Sequence, residues 1–234
     1  MQFLAQMFDY FRHLDVHLAE LLRQYGAWTY VILFAIIFAE TGLVVTPFLP
    51  GDSLLFAAGA VTAAANNMPG EPALNILILW IVLVIAAVVG DSVNYQIGRA
   101  VGTKVFKKEA RVMKLEYLHK TESFYAKYGG KTIILARFIP IVRTYAPFVA
   151  GASKMDYAKF LTYNVVGGVI WITMFLFAGY FFGNIPVVQK NFEYVVVAIV
   201  ALSLLPPLIE WIKHRRSATV GDVADASGTE PRVP

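Results

Sequence analysis

Apolar positions recur at helical spacing over residues 3–25. Leu4, Phe8, Phe11, Leu14, Leu18, Leu21, Leu22 and Tyr25 fall near one face, with Asp9, Arg12, His13, His17, Glu20 and Arg23 mostly opposite. The pattern predicts an amphipathic interfacial helix over residues 1–26. Two apolar runs of 13 residues follow, 27–39 and 53–65, separated by polar and helix-breaking positions. A membrane span needs about 20 residues, so neither run crosses alone. The expected element is a re-entrant hairpin over 27–65, with Glu40, Pro47, Pro50, Gly51 and Asp52 at or beside its break. Asp52 also fits as the cap of the second arm. A full apolar span is expected over 73–98. Residues 132–153 are again apolar but carry Arg137, Pro140, Arg143, Pro147 and Gly151, and predict a second re-entrant hairpin. Spans over 158–183 and 193–212 complete a membrane domain of residues 27–213. The polar residues 214–234 read as a disordered cytoplasmic tail.

Charge orients these elements. Residues 99–131 hold nine basic residues: Arg99, Lys104, Lys107, Lys108, Arg111, Lys114, Lys120, Lys127 and Lys131. Lys and Arg accumulate in cytoplasmic loops, so this basic loop is expected inside and the 66–72 turn outside. The first hairpin then enters from outside and the second from inside. The two halves repeat one plan, hairpin then span, in opposite orientations, as secondary transporters do. Weak echoes agree: Pro47-Phe48 with Gly51 against Pro147-Phe148 with Gly151, and Tyr95-Gln-Ile-Gly98 against Tyr180-Phe-Phe-Gly183. The fold class expected is an all-α integral membrane protein: an inverted repeat of hairpin plus span, with an N-terminal amphipathic helix and a final span.

Composition supports the membrane assignment. The 234 residues are 58% hydrophobic and 15% charged, against about 25% charged in a soluble domain. The net charge of +4 does not imply nucleic acid, because the basic residues cluster in a loop between membrane segments. The chain has no cysteine, which removes a thiol nucleophile. No basic, cleavable leader is legible at the N-terminus. The four histidines are scattered, and His13 and His17 read as solvated surface despite their spacing. No metal or cofactor set and no enzyme chemistry is expected.

The charged positions in the hairpins carry the chemistry. A charge at a helix centre costs about 2.5–3.5 kcal/mol on insertion scales, so Glu40, Asp52, Arg137 and Arg143 must pair or share a water-filled cavity. Arginine suits carboxylates and phosphates because its planar fork donates bidentately and stays charged. Asp91 and Arg99, expected near the cytoplasmic membrane edge, are secondary candidates that could pair or gate.

Several stretches together resemble the DedA family, whose eukaryotic relatives carry the SNARE-associated or VTT domain. They are Phe38-Ala-Glu40-Thr-Gly42, Pro47-Phe-Leu-Pro50-Gly51-Asp52, Gly90-Asp91-Ser-Val-Asn-Tyr95-Gln-Ile-Gly98-Arg99, and the run from Gly130 through Arg137, Pro140, Arg143 and Pro147 to Gly151. The resemblance covers about residues 25–213. It implies a multi-pass protein of the bacterial inner membrane that returns undecaprenyl phosphate from the outer to the inner leaflet under the proton-motive force. It also implies that Arg137 and Arg143 bind the lipid phosphate, a polyprenyl phosphate, while Glu40 and Asp52 carry protons. A passive phospholipid scramblase and a proton-coupled exchanger of another solute stay open, as does assembly into a homo-oligomer.

Overall fold

The computed structural model describes residues 14–43, 51–66, 74–105, 115–183, 185–191, 194–195 and 198. The described residues are helical, with no strand among them. Helix α1 spans Leu14–Tyr25, α2 Trp28–Gly42, α3 Gly51–Asn66 and α4 Ile76–Val101. Helix α5 spans Leu115–Tyr128, α6 Thr132–Ala136, α7 Pro140–Ala152, α8 Tyr157–Phe182 and α9 Pro186–Lys190. The expected breaks at Pro47 and Pro50 lie outside the described residues, as do most of the 66–72 turn, the 193–212 span and the 214–234 tail.

Local chemistry explains the boundaries. Helix α4 starts where Asn75 accepts from the backbone N–H groups of Leu77 (2.9 Å) and Ile78 (3.2 Å). Asp156 caps α8 in the same way, accepting from Lys159 N at 2.9 Å. Pro140 is the first residue of α7, where its missing donor is harmless. Helices α1 and α2 part at Gly26, whose φ of +52° suits glycine.

Helices α4 and α8 have 26 residues each and are long and apolar enough to cross a membrane. Each buries one face and leaves the opposite face apolar and exposed. On α4 the outer stripe holds Leu77, Ile81, Ile85 and Val89; on α8 it holds Val166, Ile170, Met174 and Phe181. Such stripes suit lipid and would be a liability in water. Helices α2 and α3 have 15 and 16 residues, about 22–24 Å at 1.5 Å per residue, short of a hydrocarbon core of about 30 Å.

The short helix before each long helix packs on the other long helix. Helix α3 packs on α8 and α7 packs on α4. Each crossing is backbone against backbone through a pair of glycines. A Cβ on Gly59 would meet Leu176 O at 2.0 Å, and one on Gly179 would meet Phe56 O at 1.9 Å. In the other half a Cβ on Gly98 would meet Phe148 O at 2.1 Å, and one on Gly151 would meet Tyr95 O at 1.9 Å. The sequence echoes therefore pair the wrong glycines. Gly179 rather than Gly183 plays the part of Gly98, and Gly151 answers Gly59 rather than Gly51.

Three further expectations are corrected. Pro147 and Gly151 do not break the second hairpin, because α7 runs through both. A helix tolerates an internal proline once neighbouring elements hold it, leaving one carbonyl without its helical donor. The stretch 99–131 is not all loop: it contains α5, which buries Leu118 beside Tyr145, Phe148 and Val149. Nor does α1 rest on an interface alone, because Leu18 and Leu22 are buried in the main core and α1 packs on α3.

Candidate functional site

Helix ends and helix middles converge on one charged cluster. Glu40 lies in the last turn of α2 and Asp52 is the second residue of α3. Arg137 closes α6 and Arg143 lies in the first turn of α7. Asp91 on α4 and Trp171 on α8 lie about 4 Å and 2 Å from their helix midpoints at 1.5 Å per residue. The break between α6 and α7 turns both arginines towards the same place.

Arg143 is held by two carboxylates. Its Nη2 donates to Glu40 Oε1 at 2.6 Å and its Nη1 to Asp52 Oδ1 at 3.1 Å. The guanidinium stacks over the Trp171 ring, 4.2 Å from the centroid. Glu40 Oε1 also accepts from Gly51 N at 3.2 Å. A Cβ on residue 51 would stand 2.0 Å from Glu40 Oε2 and would push that carboxylate from its place. Gly51 thus ties the start of α3 to the end of α2.

Arg137 is held differently. One nitrogen, Nη2, donates both to Asp91 Oδ2 (2.5 Å) and to Asn164 Oδ1 (2.6 Å). Its Nε and Nη1 are buried and have no hydrogen-bond partner among the described residues. Asn164 in turn donates to Val88 O at 2.9 Å, fastening α8 to α4. Asn94 does the matching work on α4, donating to Thr41 O (3.2 Å) and Thr144 O (3.0 Å). Each long helix therefore carries one buried asparagine that bridges to other elements.

All four sequence candidates, Glu40, Asp52, Arg137 and Arg143, meet in this cluster, but the pairing is uneven. Arg143 takes both hairpin acids, and Arg137 takes Asp91. Arg99 does not pair with Asp91: it lies eight residues further along α4 and is exposed. Sequence reading missed Trp171 and Asn164. Both stood inside an apolar span that gave no reason to look further. A signal was present, since tryptophan favours the ends of a span and Trp171 sits at the middle of α8.

A cluster of three carboxylates and two guanidiniums is a poor device for stability, because burying ion pairs often gains nothing over apolar packing. The VTT domain model matches residues 49–181. The chain belongs to the DedA family. It is 54% identical over 213 residues to Protein DedA of Escherichia coli K12, covering 91% of this chain and 95% of that protein. It is 45% identical over 194 residues to an uncharacterized membrane protein of Mycobacterium tuberculosis H37Rv, covering 81% and 83% of the two chains. It is 32% identical over 177 residues to the inner membrane protein YqjA of Escherichia coli K12, covering 75% and 77%. No solved structure matches the chain. The latter two relatives are membrane proteins by name, and with the two long apolar helices they place this DedA-family chain in a membrane.

Proposed function

We propose that this protein is a transporter rather than an enzyme. It carries a polyprenyl phosphate, undecaprenyl phosphate, from the outer to the inner leaflet of the bacterial cytoplasmic membrane, coupled to protons. The observation that carries this reading is Arg137: a buried guanidinium whose Nε and Nη1 have no hydrogen-bond partner among the described residues, beside a second guanidinium that donates to two acids. Free, charged donors in an apolar surround suit an anionic head group, and the apolar outer faces of α4 and α8 let a lipid tail stay in the bilayer.

The charge balance favours proton coupling. Three acids, Glu40, Asp52 and Asp91, face two arginines, so the fully ionised cluster carries one surplus negative charge. Adding a phosphate worsens the surplus unless a carboxyl takes a proton. Moving a negative charge inward against an inside-negative potential costs about 2.3 kcal/mol per charge per 100 mV, which a co-transported proton cancels. Glu40 and Asp52 compete directly with phosphate for Arg143, so their protonation would release the fork. In this reading α2–α3 and α6–α7 are re-entrant hairpins that enter from opposite sides and meet at the cluster.

Proteoliposomes loaded with radiolabelled undecaprenyl phosphate test the proposal, with and without an inwardly directed pH gradient. Inward transfer that rises with the gradient is expected. Transfer of bulk phospholipid at the same rate, indifferent to the gradient, would make the protein a passive scramblase. No transfer of either lipid would overturn the reading.

A further inference from the structure

We propose that Trp171 is the positioning residue of the cluster, holding Asp52 in place while Arg143 exchanges partners; the transport consequence rests on the phosphate reading above. Three contacts close a triangle. Arg143 Nη1 donates to Asp52 Oδ1 at 3.1 Å. Trp171 Nε1 donates to the same oxygen at 2.8 Å. The Trp171 face carries the Arg143 guanidinium at 4.2 Å. The ring is fully buried and also lies 5.7 Å from the Arg137 guanidinium, so it neighbours both arginines.

A residue that only filled space would need no donor, and leucine or phenylalanine would serve. Burying an indole instead demands a hydrogen-bond partner for its N–H. Here the partner is a carboxylate of the charged cluster. The consequence is directional. When an anion draws Arg143 away, Asp52 loses its cation but keeps the indole donor. The acid stays where the returning arginine needs it. Trp171 touches neither reacting proton nor lipid in this scheme; it acts through Asp52 and Arg143.

A double-mutant cycle separates this role from filling. The proteins are wild type, Trp171→Phe, Asp52→Ala and the double variant, in proteoliposomes supplied with undecaprenyl phosphate. Phenylalanine keeps a ring face and loses the donor. Trp171→Phe is expected to lower turnover about tenfold, the scale of one hydrogen bond to a charged group. Half-saturating lipid should stay within about threefold, because the arginines remain. In the Asp52→Ala background, where the indole N–H has lost its acceptor, Trp171→Phe should change turnover by less than about twofold. An equal loss in both backgrounds overturns the role, since filling does not depend on residue 52. The same four proteins are unfolded thermally in detergent without lipid. If wild type carries no undecaprenyl phosphate, the transport reading falls and the unfolding cycle decides alone: additive midpoint shifts overturn the positioning role, and non-additive shifts uphold it. If Trp171→Phe does not fold, Trp171→Gln, which keeps a donor without the ring, is compared with Trp171→Leu. Turnover of the Gln variant above that of Leu upholds the role, and equal turnover overturns it.

Discussion

Arg143 and Arg137 are six residues apart on one broken segment, yet their surroundings differ. The Arg143 side chain is 14% exposed and uses two nitrogens on two acids from one hairpin. The Arg137 side chain is 2% exposed and uses one nitrogen on an acid and an amide from the two long helices. Arg143 thus joins α7 to the ends of α2 and α3, and its partners are the acids proposed above to carry protons. Arg137 is anchored to the frame and keeps two donors in hand. A guanidinium that is fully engaged must be released before it can bind anything. One that is partly engaged can bind without leaving its anchor. The two residues are the same chemistry in a waiting and an occupied state.

Four substitutions break or sharpen that contrast. The largest effect is expected for Arg137→Gln, which leaves Asp91 buried without its cation. Removing one partner of a buried pair costs about 3–5 kcal/mol. The variant should unfold well below wild type in thermal melts, and adding Asp91→Asn should restore most of the loss. Wild-type stability for the single variant would mean that Asp91 and Arg137 are not a charged pair.

The lysine variants sharpen the contrast. Arg143→Lys keeps one cation for two acids and loses a charged hydrogen bond, about 1.5–3 kcal/mol. Arg137→Lys should be milder in stability, because one ammonium nitrogen can serve both Asp91 and Asn164. It should nevertheless lower lipid-phosphate transport at least about tenfold, because the two free donors go with the guanidinium. Melts and transport measured on the same preparations decide this. Equal stability losses, or normal transport by Arg137→Lys, would erase the difference between the arginines.

The smallest effect is expected for Arg99→Gln. Arg99 is exposed and belongs to neither clamp. Transport should stay within about twofold of wild type, the scatter of surface substitutions. A loss comparable to that of Arg137→Lys would return Arg99 to the working set and extend the site along α4.

Much of the fold was legible because its signals are local. Thirteen apolar residues cannot cross a bilayer, 26 can, and the helices fall close to where those runs stand. The charged positions were conspicuous for the opposite reason: Glu40, Asp52, Arg137 and Arg143 interrupt sequence that otherwise belongs in lipid. Turn chemistry was less reliable. Pro140 and Pro147 both read as breaks, yet Pro140 starts a helix and Pro147 sits inside it, because packing against α4 holds α7 together across the missing hydrogen bond. The helix within 99–131 was masked by its charge, which dominated the reading of that stretch.

What the sequence determined by itself is which side chains are too costly to leave alone in an apolar chain. A buried charge announces itself one residue at a time, by composition alone. Who meets whom was decided only by the tertiary structure. Asp91 rather than a hairpin acid takes Arg137, and Arg143 takes both acids. Those pairings follow from where α4 and α8 cross α7 and α3 at Gly98, Gly151, Gly59 and Gly179. A crossing depends on the distance between two backbones, and no single stretch of sequence carries that distance. Trp171 lay hidden for the same reason. In a sequence it is one more apolar residue of a span, and only the fold sets its N–H against Asp52 and its face against Arg143.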